Sequence, residues 1–486
     1  MASSHLRRFG LAACIVLPML VAGCGPNEGR AAYVVNIIVR SDLVLLRNRP
    51  SLTADKYERM ALSPYNFFRG TFPLFLRDAL DPAQPTSWTR YPLPNVLWLG
   101  IGDAHLENFG VLRATDGTLA LEPNDLDAAD SYPSLWELRR LGTSLALATR
   151  ASNASDPVAQ ARAIAKEAEI VRAAMVGYLD ELGRVASGGA QKRWSTSEGS
   201  TILEDVWERA EEGLSTRSEL SELTAVQSGQ RRFVRGPIDG DASEVLRDLP
   251  PSALAALPET LQAYASTLLA RPPSGALTLR DAVQQLGSGI ASLPRVRLLL
   301  LVEGPSTRDD DDVILELKEL CDSPSPGFRA PGVAFDDVQS RVRLASRRIW
   351  ARVDAEPHWG TATFLSLPVQ LRLESEGQKG LRVKRLTGAR GTPQALEAMA
   401  AIVGARLAAI HGPQLGAGAV TKLFAQDREG FLMEQTQASR SIADGVDSDH
   451  ALFVEALSRL GPTLGADMDP EPVVSTLAPL LDGLSP

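Results

Sequence analysis

"GDAHLENFG", residues 102–110, packs Asp103, His105, Glu107 and Asn108 into one short stretch. The run before it, Val96 to Ile101, is apolar and reads as a buried strand. Val111-Leu112, a turn at Asp116-Gly117 and a second apolar run, Thr118 to Leu121, follow it. A carboxylate at the end of a buried strand must be held by hydrogen bonds or put to chemical use. This stretch decides the fold, because it sets a polar loop between strands and marks where a site is to be sought.

Downstream comes "NDLDAAD", residues 124–130, and then "SYPSLWELRRLGTSL", residues 131–145, where Leu135, Leu138, Leu141 and Leu145 mark a helix. A short hairpin would carry Asp103 and Asn108 on one side and Asp125 and Asp127 on the other. Asn108 and Asp125 are 17 residues apart, enough for two short strands and a turn. Three or four such oxygens suit a hard cation such as magnesium, which takes carboxylates and amides and often bridges to phosphates. Asp103 would then be free to act as base on a substrate hydroxyl. The alternative stands beside this: Asp and Asn are also the residues of turns and helix caps, and Asp127 or Asp130 is placed to cap the following helix.

The whole chain sets the frame. It has 486 residues, 44% of them hydrophobic and 22% charged, which is the composition of an ordinary folded protein. A net charge of -9 with no long basic tract argues against a general nucleic-acid binder. Arg7 and Arg8, an apolar run from Leu11 to Ala22 and then Gly23-Cys24 form a secretory signal layout. Its end resembles a bacterial lipoprotein signal, which implies lipidation of Cys24, a membrane anchor and a place in the bacterial cell envelope, on the periplasmic side. A plain secretory signal or an uncleaved anchor remains the other reading. Of the three cysteines, Cys14 leaves with a cleaved signal and Cys24 takes the lipid, so Cys321 stands alone as a small packed residue with no disulfide partner.

The motifs carry a family resemblance. "GDAHLENFG", "NDLDAAD" and Ser63-Pro64-Tyr65-Asn66-Phe67-Phe68-Arg69-Gly70 resemble the bacterial family DUF2252, over roughly residues 55–415. More distantly, the pattern resembles aminoglycoside phosphotransferases and the protein-kinase-like fold. That resemblance implies Asp103 as catalytic base, Asn108 and Asp125 as magnesium ligands with Asp127 beside them, and Glu137 where the kinases have a structural aspartate. It gives His105 the task of holding the loop. Arg69, with Phe67 and Phe68, either supports that loop or simply packs.

A kinase-like enzyme also needs a phosphate cover and a lysine. Gly287-Ser288-Gly289 opens a turn into the apolar strand Val296 to Val302, and "DDVILELKELCD" places Lys318 on a following strand. Glycine lets backbone amides approach phosphates, and lysine supplies a point charge. Ser292 stands where the family tends to have a third glycine. Asp336, Asp337 and Gln339 are the candidate partners of Lys318. The alternative is a plain hairpin turn and a lysine that snorkels from an edge strand. These parts follow the catalytic aspartate instead of preceding it, which makes the expected architecture a circularly permuted one.

Lesser expectations complete the reading. Ala31 to Asn48 reads as a strand-like arm, residues 156–280 as helical, and Asp336 to Val353 as a helix. Thr361 to Leu373 and Gly380 to Leu386 read as paired strands, the latter with Arg382, Lys384 and Arg385 alternating either on a solvated face or toward a phosphate. Ala395 to Ile410 reads as a helix ended by His411, whose charge would favour the dipole there. Asp309 to Asp312 reads as a solvated hairpin tip. The expected fold class is α+β: a signal over 1–23, an arm over 24–50, a largely helical catalytic-loop lobe over 51–280, a β-rich glycine-loop and lysine lobe over 281–390, and a helical segment over 391–486. The expected function is magnesium-dependent phosphoryl or nucleotidyl transfer from ATP or another nucleotide to a small hydroxylated acceptor. The rival is an inactive, pseudokinase-type binding or scaffold lipoprotein.

Overall fold

The computed structural model describes residues 26–91, 96–238, 241–270, 277–304, 306, 308, 310–374, 377–466 and 480–481. The signal segment with Cys14 and Cys24, and Asp309, lie outside the described residues. The architecture is mixed α+β, with antiparallel sheets throughout.

The chain opens with helices α1 (Pro26–Ser41), α2 (Leu43–Asn48), α3 (Pro50–Ala61), α4 (Pro64–Gly70) and α5 (Phe72–Leu80). The arm expected to be strand-like is therefore helical. The β-branched run Val34 to Val39 has strand propensity, yet Val34 and Ile38, four apart, pack on Phe453 and Ala456, and tertiary burial overrides propensity. Strand β1 (Leu97–Gly100) leads to the polar loop, then to β2 (Phe109–Arg113), β3 (Leu119–Pro123) and β4 (Asp130–Pro133). β4 pairs antiparallel with β1. It takes residues 130–133 into a strand, so the helix marked by the leucines starts only at Trp136.

That helix, α6 (Trp136–Ala151), is buried over nearly its whole length. Helices α7 (Pro157–Ile164), α8 (Glu167–Ala186), α9 (Thr201–Thr216) and α10 (Ser218–Leu223) come next. The segment expected to be wholly helical then changes character, giving β5 (Thr224–Gln227), β6 (Gln230–Phe233), β7 (Gly236–Ile238), β8 (Asp241–Asp248) and α11 (Pro251–Ala265). The reason lies in the long-range sheet: β8 pairs with β9 (Leu279–Leu286), which borders β10 (Arg297–Val302). β11 (Val313–Glu319), α12 (Val338–Ile349), β12 (Gly360–Phe364) and β13 (Leu367–Leu373) complete a seven-stranded sheet in the order β12-β13-β11-β10-β9-β8-β7.

This sheet is covered on both faces. Leu298, Leu300 and Val302 of β10 pack with Leu257, Leu261 and Tyr264 of α11. Leu299 and Leu301 point the other way, toward Leu220, Leu223 and Phe233. Burial on both faces explains the unbroken apolar run in β10.

After β14 (Lys379–Gly380), which pairs with β2, come α13 (Pro393–His411), α14 (Ala417–Gln426) and α15 (Arg428–Leu460). The expected strand over 380–386 stops at Gly380, and residues 383–385 form a 3-10 turn. α13 crosses α8 at very short range: a Cβ on Gly404 would lie 2.1 Å from the Ala174 carbonyl oxygen, and one on Gly177 would lie 2.0 Å from that of Ala401. α13 is apolar and long enough to cross a membrane, but 61% of it is buried inside the protein, as in a core helix.

Candidate functional site

A cleft of about 1160 Å³ lies between the helical body and the sheet. Asp103 enters it from the loop after β1. Gly102 makes that loop possible: its φ is +77°, and a Cβ there would sit 2.3 Å from the Ala128 carbonyl oxygen. The buried Glu137 accepts a hydrogen bond from the Gly102 amide at 2.8 Å, and Ser144 accepts one from Leu106 N–H at 2.9 Å. The other oxygen of Glu137 lies 2.8 Å from His411 Nε2, and His411 Nδ1 lies 2.8 Å from the Tyr178 hydroxyl. His411, at the end of α13, is therefore a buried link in the loop's support.

The Asp103 carboxylate is held by a residue the sequence did not single out. Arg140 of α6 donates from Nε to Oδ1 at 2.8 Å and from its terminal nitrogen to the Phe68 carbonyl at 2.8 Å. Its guanidinium lies 3.6 Å from the ring centre of Phe68. Burial pushes Asp103 above the usual carboxylate range, against the pull of Arg140. Asn108 donates from Nδ2 to the Asp103 carbonyl at 2.8 Å, and its own carbonyl accepts from Asn124 N–H at 3.0 Å. The two acidic stretches are thus joined directly.

His105 is buried, and its Nε2 is 3.8 Å from Asp103 Oδ2. Burial, then the charges of Arg69, Arg140 and Arg382, hold its pKa well below the ordinary value, so the ring is neutral. Its buried Nδ1 has no hydrogen-bond partner. Glu107 organises the outer edge of the loop. It meets Arg69 at 2.9 Å and accepts from Val383 N–H at 2.7 Å, which draws the chain after β14 into its 3-10 turn.

From the sheet, Lys318 reaches across to the acidic stretch. Its Nζ is 3.0 Å from Asp125 Oδ2 and 2.6 Å from Asp127 Oδ2. The expected helix partners do not meet it: Asp337 caps α12 with Ser340 in a capping box, Gln339 donates to the Ala362 carbonyl, and Asp336 is exposed. Burial alone would raise Asp125, but Lys318 holds it below the usual range, while Asp127 is pushed up by burial and by the charge of Asp125. Lys318 is held above the ordinary lysine range by the two carboxylates, against burial.

The β-strand register explains this row. Leu315 and Leu317 of β11 face α11, so Glu316 and Lys318 face the cleft. Arg297 stands opposite Lys318, and Arg372 stands opposite Glu316. Arg297 meets Glu316 at 2.6 Å, and Arg372 donates to Glu316 at 2.9 Å and to the Asn124 carbonyl at 2.7 Å. Burial would raise Glu316, yet the flanking arginines hold it well below its ordinary range.

Gly287, Ser288 and Gly289 form a turn between β9 and β10, with φ of +80° and +82° at the two glycines. Ser288, Gly289 and Ser292 line the cleft. Arg59 donates to the Gly287 carbonyl at 3.0 Å, tying α3 to the turn. Cys321 is half-buried at the cleft wall. Among the described residues no three His, Cys, Asp or Glu side chains converge as a cation cage. The oxygen donors present are the Asp125 and Asp127 carboxylates and the Asn108 amide, with Asp127 Oδ1 buried and unpartnered.

These features define an α+β protein whose acidic loops face a glycine turn and a lysine across a deep cleft. The chain belongs to the family DUF2252, described as "Uncharacterized protein conserved in bacteria", whose model matches residues 47–456. No match was found among curated proteins or solved structures.

Proposed function

We propose that the cleft carries out phosphoryl or nucleotidyl transfer from a nucleotide such as ATP to a hydroxylated acceptor, on a kinase-like, circularly permuted framework. One observation carries this reading: Lys318 meets Asp125 at 3.0 Å across 193 residues of chain. The connection order supports it too. A glycine turn lies between β9 and β10, the lysine is on the third strand, β11, and a helix, α12, follows. That is the order of the nucleotide lobe in protein kinases.

Asp103 would accept the proton of the acceptor hydroxyl, with Arg140 fixing its orientation. The turn at Gly287–Gly289 would lay backbone N–H groups against phosphate, and Lys318 would pair with phosphate oxygens. Asn108, Asp125 and Asp127 fit a small hard cation by donor chemistry, and the unpartnered Asp127 oxygen is an opening for one. Magnesium bound there would neutralise phosphate charge.

A second reading, a binding or scaffold protein that does not turn over, is favoured by Lys318 itself. It spans both carboxylates that a cation would use, and no acidic residue of α12 draws it away. Titration of ATP with and without magnesium, followed by melting temperature, separates the readings. The proposal expects a magnesium-dependent rise that Asp125→Asn abolishes. No shift at millimolar ATP refutes it in favour of the scaffold.

A further inference from the structure

We infer that the acceptor bears a negative charge, as a phosphate or carboxylate near its reactive hydroxyl, and is recognised by Arg69, Arg382 and Lys384 beside Asp103. The inference rests on the phosphotransfer reading and names its substrate class. The chain as a whole is acidic, with net charge -9. The acceptor end of its cleft is not. Arg69, Arg382 and Lys384 all line the cavity with Asp103. Arg69 and Arg382 share a single carboxylate, Glu107, at 2.9 and 3.7 Å. At this edge of the loop three cations face one carboxylate, Glu107, while Asp103 is paired with Arg140 and Asp125 and Asp127 share Lys318.

Two buried groups at the same place lack partners: Arg69 Nε, a donor, and His105 Nδ1. A buried donor without an acceptor is costly, and an anionic ligand supplies the acceptor. Arg382 is half exposed and Lys384 exposed, so both can turn toward an incoming anion. Arg382 directly precedes the 3-10 turn at 383–385 and Lys384 lies within it, and the Val383–Glu107 hydrogen bond fixes that turn against the catalytic loop. The cavity, at about 1160 Å³, exceeds the range of about 300–1,000 Å³ usual for one small molecule and has room for donor and acceptor together. A cationic acceptor such as an aminoglycoside would meet repulsion here.

The test uses the full chain in detergent, with glucose 6-phosphate and glucose as paired probes. Each is titrated by calorimetry with and without saturating magnesium and a non-hydrolysable ATP analogue. Glucose 6-phosphate should bind, glucose should not, and Arg382→Ala with Lys384→Ala should weaken the former about tenfold or more while analogue binding is retained. Equal binding of the two probes, or an unchanged affinity in the double variant, overturns the inference and leaves the nucleotide site standing. If the analogue does not bind but the phosphate probe does, with loss in the double variant, the anion site stands and the phosphotransfer reading falls. If neither binds, both fall.

Discussion

Replacing Lys318 with methionine removes the cation that joins the sheet to the acidic loop and keeps most of the side chain's volume. The Lys318 side chain is 4% exposed, against 34% for Asp125 and 14% for Asp127. Removing one partner of a fully buried pair costs about 3–5 kcal/mol. Asp125 keeps partial contact with water, which places the loss nearer about 2–3 kcal/mol. At about 2–4 °C per kcal/mol, the melting temperature should fall by about 4–12 °C.

The deficit should depend on pH, and its sign follows from the site. In the wild type Asp125 is held below the ordinary carboxylate range, so its contribution is present above that range and is lost only as pH falls through the depressed value. Lys318 is held above the ordinary lysine range, so its contribution persists until pH rises through that raised value. Between these limits the Lys318–Asp125 contribution is constant, and the variation comes from Asp127, which is raised in the wild type and should be raised further once Lys318 is gone. Without Lys318, Asp127, already raised by burial and by Asp125, takes up a proton as pH falls and relieves the repulsion. The deficit should be largest near pH 8 and smaller near pH 5, measured by thermal melts at fixed salt. Magnesium alone should then stabilise the variant by about 1.4 kcal/mol at ten times its dissociation constant, and the wild type by less. A deficit equal at both pH values, or no deficit, refutes the account of Lys318 as the shared counter-ion.

Four further outcomes test the site, its turns and the anchor. Asp103→Asn should keep the nucleotide-dependent rise in melting temperature and lower the transfer rate by about 10²–10⁴-fold, read by product formation from labelled ATP. Gly100→Ala should cost about 1–3 kcal/mol in urea unfolding, because its Cβ would lie 1.7 Å from Glu137 Oε2 and push that carboxylate off the Gly102 amide. Gly117→Ala, at an open turn with φ +82°, should cost about 1–2 kcal/mol for backbone strain alone and leave nucleotide binding intact. Cys24→Ser should release the protein from membranes in a cell fractionation, and continued membrane attachment would refute lipidation as the anchor.

The site was legible in sequence where its chemistry is local and hidden where it depends on packing. Asp103, Asn108 and Asp125 stand close together along the chain, and the backbone hydrogen bond from Asn124 N–H to the Asn108 carbonyl keeps the two acidic stretches together in space. Glu316 and Lys318 also left a trace: two charges two residues apart inside an apolar strand must share a face, and a sheet buried on both sides offers charges a place only at a cleft. Arg140 left none. An arginine in a helix normally marks the solvent face. It is buried here only because α6 runs through the core, where Phe68, Phe72 and Phe75 surround its guanidinium. The partner of Lys318 was misplaced for a related reason. An aspartate just before a helix can cap it or reach out to a neighbour, and Asp337 spends its carboxylate on the Ser340 amide at 2.6 Å. That leaves Asp125 and Asp127 as the nearest acceptors. The cation of the sheet is therefore committed to the acidic loop before any ligand arrives, and a ligand of that loop must either displace it or use it.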